Sequence, residues 1–288
     1  MSIIVVDNGS SMPFSPIAAE ELIVIRNDEN LGYAGGANTG IREAIKLDFE
    51  FLWLLNTDVD FNETTLPSLI EHMELNKGVA AVSPVIYNLE NKEKIQYAGA
   101  SLLHEQRNIK YWKLSEQHDD DNSLLWGTAL LIRVDSILKI GLFNEDYFAY
   151  WEDFEFSVRL IKAGYKTAIV KKSKLWHKWG SEEQISRRPP YFYYYMTRNG
   201  IYFYLKALSY QSNKTSVYFT CFVDLLETIV GRLDRNDKES AQAALQGYIE
   251  ACKKKVGPYK EAKFPIISFF VFLAPFRLHR LLKKLHNR

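Results

Sequence analysis

The sequence predicts an α/β fold in which a mainly parallel sheet is flanked by helices. Short apolar and β-branched segments alternate with segments of helical spacing as far as about residue 170. Hydrophobic residues make up 47% of the 288 residues, which is enough for a sizeable core. Beyond residue 190 the pattern becomes helical, so we expect a first domain over 1–190 and a helical region over 191–288.

The first third of the chain contains four predicted strands and two predicted helices. The apolar runs over 2–6, 22–25, 51–55 and 79–85 have the length and composition of strands. A glycine-rich loop over 30–38 is expected to lead into a helix over 39–47. A second helix is expected over 64–76, with Thr64 or Thr65 as its cap.

The remaining elements are predicted in the same way. Strands are expected over 126–133 and 167–170, and short helices over 134–140 and from the acidic cluster near residue 152 to Gly164. Three longer helices are expected over 191–208, 215–233 and 237–255.

Two carboxylates follow one of these strands directly. Asp58 and Asp60 lie just beyond the apolar run over 51–55, and open α/β sheets bind ligands where their strands end. Mg²⁺ and Mn²⁺ prefer carboxylate oxygens and share them with phosphate oxygens. The spacing therefore indicates a divalent cation held against a diphosphate, although acidic turns of this composition are also common on protein surfaces.

The charges are unevenly distributed. The net charge of +1 gives the whole chain no bias towards nucleic acid, and we expect no nucleic-acid partner. From Lys253 onwards there are ten Lys and Arg residues and one acid, Glu261, so the body is acidic and the tail basic. Leucines at 278, 281, 282 and 285 lie on one face of a predicted basic helix beside the apolar segment 264–276. Such a tail is expected to lie on an anionic membrane surface, or else to pack on the protein or a partner subunit.

Cysteine content and the termini bear on the compartment. Cys221 and Cys252 are far apart and lack the spacing of a metal site, which favours a reducing compartment. No basic region followed by an apolar core occurs at the N-terminus, and 264–276 is too short to span a bilayer. We therefore expect a cytoplasmic protein, peripheral on the inner face of the plasma membrane.

Several motifs occur in a fixed order along the chain. They are Val5-Val6-Asp7-Asn8-Gly9-Ser10, Asn30-Leu31-Gly32-Tyr33-Ala34-Gly35-Gly36-Ala37-Asn38-Thr39-Gly40, Leu55-Asn56-Thr57-Asp58-Val59, Tyr97-Ala98-Gly99, Gly127-Thr128-Ala129-Leu130-Leu131-Ile132-Arg133, Ile140-Gly141-Leu142-Phe143-Asn144-Glu145, Phe148-Ala149-Tyr150-Trp151-Glu152-Asp153, Arg159, Gly164 and Trp176-His177. In this order they resemble the inverting family-2 glycosyltransferases of the GT-A fold. The most similar subset is the rhamnosyltransferase-like bacterial enzymes of cell-surface polysaccharide synthesis.

The resemblance implies a role for each group of residues. It implies a Mg²⁺ or Mn²⁺ site at Asp58, Asp60 and His177, with Asp153 as the general base and Glu152 orienting it or contacting the acceptor. The residues implied to bind the nucleotide sugar are Asp7, Asn8, Ser10, Asn30, Gly32, Gly35, Gly36, Asn38 and Asn56, and those implied to bind the acceptor are Trp126, Gly127 and Trp151. A carboxylate at a helix N-terminus suits a base, because the helix dipole keeps it ionised. The same position also suits plain helix capping by Asp153.

The implied reaction moves a sugar from a nucleoside-diphosphate sugar, of the dTDP-rhamnose or UDP-hexose type, to a glycan or lipid-linked acceptor with inversion. Family members begin with an earlier strand and helix, whereas this sequence begins at what resembles their second strand. Loss of that strand would expose apolar edges and remove contacts to the base. The alternatives are therefore a mis-assigned start codon, an inactive, truncated paralogue that binds nucleotide sugars or acts as a scaffold, and compensation by another chain. A homo-oligomer is a further expected assembly. A nucleotidyltransferase would need a basic loop near the first strand, and residues 7–11 contain no Lys or Arg.

Overall fold

The computed structural model describes residues 1–15, 22–103, 108–115, 122–178, 188–207 and 214–262. The chain divides into two compact units, Met1–Ser181 and Glu182–Arg288. The first unit contains ten strands, β1 to β10, and four helices, α1 to α4, within its described residues. The expected α/β class with a helical C-terminal region is confirmed.

The main sheet has the strand order β3-β9-β5-β10-β4, with β6 paired to β5. Its strands are β3 (Phe51–Leu55), β4 (Val59–Phe61), β5 (Val79–Asn88), β6 (Ile95–Tyr97), β9 (Ala129–Arg133) and β10 (Lys166–His177). Within it β5 and β10 pair in parallel, whereas β3 with β9, β5 with β9, β5 with β6 and β10 with β4 are antiparallel. Strand β10 extends well beyond the predicted 167–170, and this extension carries Trp176 and His177 to the sheet edge.

A second, two-stranded parallel sheet is formed by β1 (Ile3–Asn8) and β2 (Leu22–Asn27). Within the described parts of the chain, β1 pairs only with β2 and β3 pairs only with β9. All five apolar residues of β3 are half-buried, in contrast to the fully buried core of β5. These two strands therefore each present one unpaired edge among the described residues.

Helix α1 (Gly32–Lys46) corrects the prediction that 30–38 is a loop. Glycine has a low helix propensity, so local sequence favoured a loop. Tertiary packing overrides that propensity, because a Cβ on Gly36 would lie 2.8 Å from the Asn8 Nδ2 atom, and one on Gly40 would lie 3.1 Å from Val6. The two glycines are four residues apart on one helix face, which lets α1 approach β1 closely.

The other helices of the first unit are α2 (Thr65–Leu75), α3 (Val134–Ile140) and α4 (Glu152–Lys162). Helix α2 packs on β5 and β10. The core beneath it is apolar and buried, with Leu69, Met73, Val79, Val82, Leu131, Ala168 and Val170 as its central residues. A ribbon of β7 (Ala100–Leu103) and β8 (Asn108–Tyr111) completes the unit.

The second unit contains α5 (Pro190–Ala207), α6 (Lys214–Leu233) and α7 (Lys238–Cys252). Helices α5 and α7 meet where a Cβ on Gly247 would lie 2.4 Å from the Tyr194 carbonyl oxygen. Arg198 is fully buried there, and its guanidinium donates to the Gly257 carbonyl at 2.6 Å and lies over the ring of Tyr195. The two cysteines are free, as expected from their separation.

Among the described residues, no helix is long and apolar enough to cross a membrane. The predicted apolar segment 264–276 and the basic amphipathic helix after it lie outside the described residues. Their association with a membrane stays a prediction from sequence.

Candidate active site

Asp58 and His177 lie next to each other at one edge of the main sheet. Asp58 follows β3, His177 ends β10, and the backbone N–H of Lys178 donates to the Asp58 carbonyl at 3.0 Å. The His177 Nε2 atom is 3.3 Å from the Asp58 Oδ1 atom. The imidazole is 7% exposed and the Asp58 carboxylate 47% exposed, so the pair faces solvent from the aspartate side.

Gln96 on β6 determines how this imidazole is oriented. The Gln96 side-chain NH₂ donates to the His177 carbonyl at 3.1 Å, which turns its Oε1 atom towards His177 Nδ1 at 3.2 Å. An amide oxygen accepts, so Nδ1 carries a proton. In the neutral imidazole, Nε2 directs its lone pair at the Asp58 carboxylate, and a cation bound to both acceptor atoms would stabilise that arrangement. The donor set therefore fits a divalent metal with an orienting second layer of hydrogen bonds.

Asp60 does not join this pair. In the antiparallel pairing of β4 with β10, Asp60 is opposite Trp176 and Val59 is opposite His177. Directly opposed residues share a face of the sheet and successive residues alternate, so Asp60 points to the face opposite His177. In the described part of the chain, no three His, Cys, Asp or Glu side chains are grouped to hold a metal. The expected three-residue set is thus reduced to Asp58 and His177.

Asp153 is held in the first turn of α4 by two backbone N–H groups. The N–H of Gly127 donates to its Oδ2 atom at 2.8 Å, and the N–H of Phe154 donates to its Oδ1 atom at 2.7 Å. Burial raises the pKa of Asp153 to about 6, and these hydrogen bonds oppose the rise. A carboxyl with this pKa is ionised at neutral pH and remains a usable proton acceptor.

Glu152, the preceding residue, is also buried. It is 4% exposed, and its Oε2 atom has no hydrogen-bond partner among the described residues. Burial, with a further contribution from the neighbouring Asp153 charge, raises the pKa of Glu152 well above its usual range. The surroundings of Glu152 therefore favour its protonated form, which is the form that donates a hydrogen bond. Adjacent carboxyls whose pKa values are shifted by different surroundings are typical of acid–base sites.

The loop that precedes Glu152 and Asp153, just before α4, is strained. Phe148, Tyr150 and Trp151 all have positive φ angles, of 62°, 67° and 75°, which non-glycine residues rarely adopt. Helix α1 holds the loop, because the Ala34 N–H donates to the Phe148 carbonyl at 3.2 Å. Gly32 allows this approach, since a Cβ there would lie 2.3 Å from the same oxygen. Strain of this kind is found mainly at functional sites.

Asp7 ends β1 with both carboxylate oxygens already hydrogen-bonded. Its Oδ1 atom accepts from the N–H of Ser10 at 2.9 Å, and its Oδ2 atom accepts from the N–H of Phe14 at 3.0 Å and from the Arg26 guanidinium. The N–H groups of Phe14 and Ser10 hold the pKa of Asp7 well below its usual range, and Arg26 contributes. Asp7 therefore stabilises the turn after β1.

Three predicted asparagines also make contacts within the protein. Asn8 donates to the Gly32 carbonyl at 2.9 Å and accepts from Asn27, while Asn30 accepts from the Gly32 N–H at 2.9 Å. Buried Asn38 donates to the Phe143 carbonyl at 2.9 Å. These bonds anchor the start of α1 between β1 and the turn at residue 143.

The remaining predicted residues lie around the 125–128 segment. The backbone N–H of Asn56 donates to the Thr128 carbonyl at 3.0 Å, so the end of β3 is tied to this segment. One face of the Trp126 indole is stacked on Tyr97, with ring centroids 4.3 Å apart and planes at 11°. Trp126 and Trp151 are both half-buried. The stacking on Tyr97 fixes the plane of the Trp126 ring.

Sequence reasoning missed Gln96, Arg26 and Tyr33. Gln96 lies on a three-residue strand with no recognisable pattern, so nothing near it in sequence indicated its role. Arg26 lies on β2 directly opposite Asp7 on β1, and a strand prediction does not supply this register. Tyr33 lies within the glycine-rich motif, where only the glycines and the two asparagines were assigned a role.

Residues 1–141 match the family described as Glycosyl transferase family 2. The matched region includes Asp7, the start of α1, Asp58 and the Gly127 segment. Asp153 and His177 lie beyond it.

Two curated proteins are similar in sequence to part of this chain. A galactofuranosyltransferase, GlfT1, of Mycolicibacterium smegmatis is 23% identical over 194 residues, which cover 63% of this chain and 62% of the relative. The low-salt glycan biosynthesis hexosyltransferase Agl10 of Haloferax volcanii is 28% identical over 171 residues, 54% of this chain and 52% of the relative. The chain thus spans between half and two thirds of the length of these two proteins.

Solved structures show the same architecture. GalNAc-T7, crystallised with UDP, GalNAc and Mn²⁺, has a TM-score of 0.54 at 15% identity, covering 88% of this chain and 51% of that one. TarS 1–349 of S. aureus in complex with UDP-GlcNAc has a TM-score of 0.51 at 15% identity, covering 87% and 72%. These similarities concern the fold alone. Residues 1–141 are therefore similar to a glycosyl transferase family 2 domain, and the chain has the GT-A type of α/β fold.

Proposed function

We propose that this protein is an inverting glycosyltransferase that moves a sugar from a nucleoside-diphosphate sugar to a glycan or lipid-linked acceptor. The observation that carries the proposal is the carboxyl pair at the start of α4. Asp153 accepts N–H bonds from Gly127 and Phe154 and has a pKa of about 6, whereas burial raises the pKa of Glu152 well above its usual range, and its Oε2 atom lacks a hydrogen-bond partner in the described part of the chain. The two adjacent carboxyls are therefore suited to accept a proton and to donate a hydrogen bond, respectively.

The chemistry assigned to Asp153 is a single displacement. Asp153 takes the proton from the acceptor hydroxyl as its oxygen forms a bond to the anomeric carbon. The bond between that carbon and the diphosphate oxygen breaks on the opposite face, and the electron pair leaves with the diphosphate. A single displacement of this kind inverts the anomeric centre. Glu152 donates a hydrogen bond that orients the acceptor or the transferred sugar.

Asp58 and His177 would hold the divalent cation, with Gln96 orienting the imidazole. When bound, Mg²⁺ or Mn²⁺ offsets the negative charge on the departing diphosphate. The carboxylate and imidazole do not distinguish these two ions. The presence of Mn²⁺ and UDP in the GalNAc-T7 structure supports a divalent cation in this fold.

The donor is proposed to bind where α1 begins, close to β1. A UDP-hexose or a dTDP-sugar such as dTDP-rhamnose is the proposed class, and the relatives named as galactofuranosyl- and hexosyltransferases support a hexose. Cell-surface polysaccharide synthesis is the proposed setting. A lipid-linked acceptor would agree with a peripheral position on the membrane through residues 264–288.

Calorimetry with the intact protein tests the metal–diphosphate site. Asp58→Ala should abolish the Mn²⁺-dependent part of UDP or dTDP binding, because it removes the carboxylate that shares the cation with the diphosphate. Asp60→Ala is the matched control, since Asp60 lies on the other face of the sheet, and it should retain that binding. Equal affinity of wild type and Asp58→Ala in the presence of Mn²⁺ would refute the assignment.

A second candidate function is nucleotide-sugar binding without transfer, as in an inactive paralogue or scaffold. The observation that favours it is the pair of unpaired edges on β1 and β3, together with the half-buried apolar side chains of β3. A site of this kind could bind nucleotide and yet fail to hold the sugar for reaction. Metal-dependent binding with no transfer to any acceptor, in a preparation verified as folded, would select this candidate.

A further inference from the structure

We propose that Tyr33 is a positioning residue for Asp153, acting through both ends of Gly127. The inference rests on the proposed function of Asp153 and adds a residue to that site. Tyr33 lies in the first turn of α1, Gly127 in the segment before β9, and Asp153 in the first turn of α4.

The two hydrogen bonds meet on one glycine. The Tyr33 hydroxyl donates to the Gly127 carbonyl oxygen. The Gly127 N–H donates to the Asp153 Oδ2 atom at 2.8 Å. The Gly127 N–H and C=O lie in two different peptide planes that meet at its Cα atom, so a hydrogen bond that holds the carbonyl limits the φ and ψ rotations of Gly127 and thereby restrains the direction of its N–H.

The space around Gly127 is full. A Cβ there would lie 2.7 Å from the Tyr33 hydroxyl oxygen and 3.0 Å from the ring carbon that bears it. On either side the segment is tied down, since the Leu125 N–H donates to the Ser157 hydroxyl at 3.0 Å and the Thr128 carbonyl accepts from Asn56 at 3.0 Å. The Tyr33 hydroxyl thus begins a chain of hydrogen bonds that runs through Gly127 and ends at the proposed base, Asp153.

The electrostatics keep Tyr33 in the donating form. Burial, followed by the charges of Glu152 and Asp153, raises the pKa of the Tyr33 hydroxyl well above its usual range. The Gly127 N–H in turn lowers the pKa of Asp153 against the effect of burial. Loss of the Tyr33 hydroxyl should therefore loosen Gly127 and raise the pKa of the base.

The test is Tyr33→Phe in the full chain, with transfer measured across pH and nucleotide binding measured by calorimetry. We expect kcat to fall roughly 10- to 100-fold, the effect of a slightly misplaced catalytic group. The KM for the donor and the affinity for nucleoside diphosphate should stay within about twofold of wild type. The acidic limb of the kcat profile should move to higher pH. Tyr248→Phe is the matched control, because it also removes a tyrosine-to-carbonyl hydrogen bond but lies in the second unit.

Gly127→Ala perturbs the same contact between Tyr33 and Gly127, but by changing the glycine instead of the tyrosine. Its Cβ would collide first with the Tyr33 hydroxyl oxygen, so Tyr33→Phe combined with Gly127→Ala should lose less activity than the product of the two single losses. Multiplicative losses, or an unchanged pH profile in Tyr33→Phe, would overturn the proposal. So would a loss of nucleotide affinity that accounts for the whole loss of rate, because Tyr33 would then be a binding residue.

A titration of the Asp153 carboxyl by carbon-13 NMR separates this proposal from the proposed function. If wild type transfers no sugar, the proposed function fails, but the pKa of Asp153 can still be compared between wild type and Tyr33→Phe. A higher pKa in the variant supports the link through Gly127, and an equal pKa refutes it.

Discussion

Asp153 and Glu152 are adjacent in sequence, yet their surroundings give them different charges. Asp153 accepts N–H bonds from Gly127 and Phe154, which partly offset the cost of burying its charge. The Glu152 carboxyl is buried beside that charge, and both effects raise its pKa. The sequence indicated an acidic helix start, and the difference between the two carboxyls depends on Gly127, which is 26 residues away in the chain.

The proposed metal-binding residues Asp58 and His177 also depend on contacts that the sequence did not predict. Asp58 and His177 could be named from motifs, but the Gln96 amide that fixes the imidazole comes from a strand with no motif. Likewise the face on which Asp60 lies follows from the β4–β10 register, which a single sequence does not determine.

Gln96→Ala should weaken Mn²⁺ binding by roughly 10- to 100-fold, the usual cost of removing a residue that orients a metal ligand. The physical reason is that His177 loses the acceptor on Nδ1 and its imidazole can rotate. Mn²⁺ binding by electron paramagnetic resonance measures this directly. Gln242→Ala, which removes a glutamine in the second unit, is the control, and equal Mn²⁺ affinity for both variants would exclude the orienting role.

At the scale of elements, the order of strands and helices followed from sequence more closely than their limits did. Periodicity predicted the helices of the second unit to within a few residues, because each has a strong apolar face. The glycine-rich segment was assigned to a loop because glycine has a low intrinsic helix propensity. That propensity does not include the packing of α1 on β1, which stabilises the helix in the folded protein. The antiparallel pairs within the main sheet were likewise not predicted from the sequence, because the direction of neighbouring strands depends on segments far apart in the chain.

Gly36→Ala tests the packing of α1 on β1. Alanine favours helix by about 1 kcal/mol, but its Cβ would lie 2.8 Å from the Asn8 amide that anchors Gly32. We expect a net loss of about 1–3 kcal/mol in the free energy of unfolding, the usual cost of overpacking. Gly78→Ala is the control, because a Cβ there meets no atom within 4 Å. Chemical denaturation of both variants measures the difference, and a stabilised Gly36→Ala protein would contradict the packing argument.

At the scale of the whole molecule, the chain combines an acidic α/β unit, a helical unit and a basic C-terminal stretch. The fold class and the division into an α/β part and a helical part could be predicted from hydrophobic periodicity. Among the described residues, β1 pairs only with β2 and β3 pairs only with β9, and the side chains of β3 are half-buried.

The predicted membrane association of residues 264–288 concerns the molecule as a whole. The intact protein should float with liposomes of anionic lipid at low salt, because the cations beyond residue 276 are attracted to the surface and the leucines bury in it. Deletion from Phe264 should abolish flotation, and neutral liposomes serve as the control for charge. Intact protein that remains at the bottom of the gradient with anionic liposomes would assign the tail to packing or oligomerisation.

The central claim is that Asp153 is the base of a sugar transfer, and the most direct measurement is the rate of transfer by wild type and Asp153→Asn across pH. Wild-type activity should rise as the pH increases through about 6, because the carboxylate must lose its proton to act as a base. Asp153→Asn should bind the nucleoside-diphosphate sugar normally and transfer roughly 10²–10⁴ times more slowly. An Asp153→Asn protein that transfers sugar at the wild-type rate, with the same pH profile, would contradict the account.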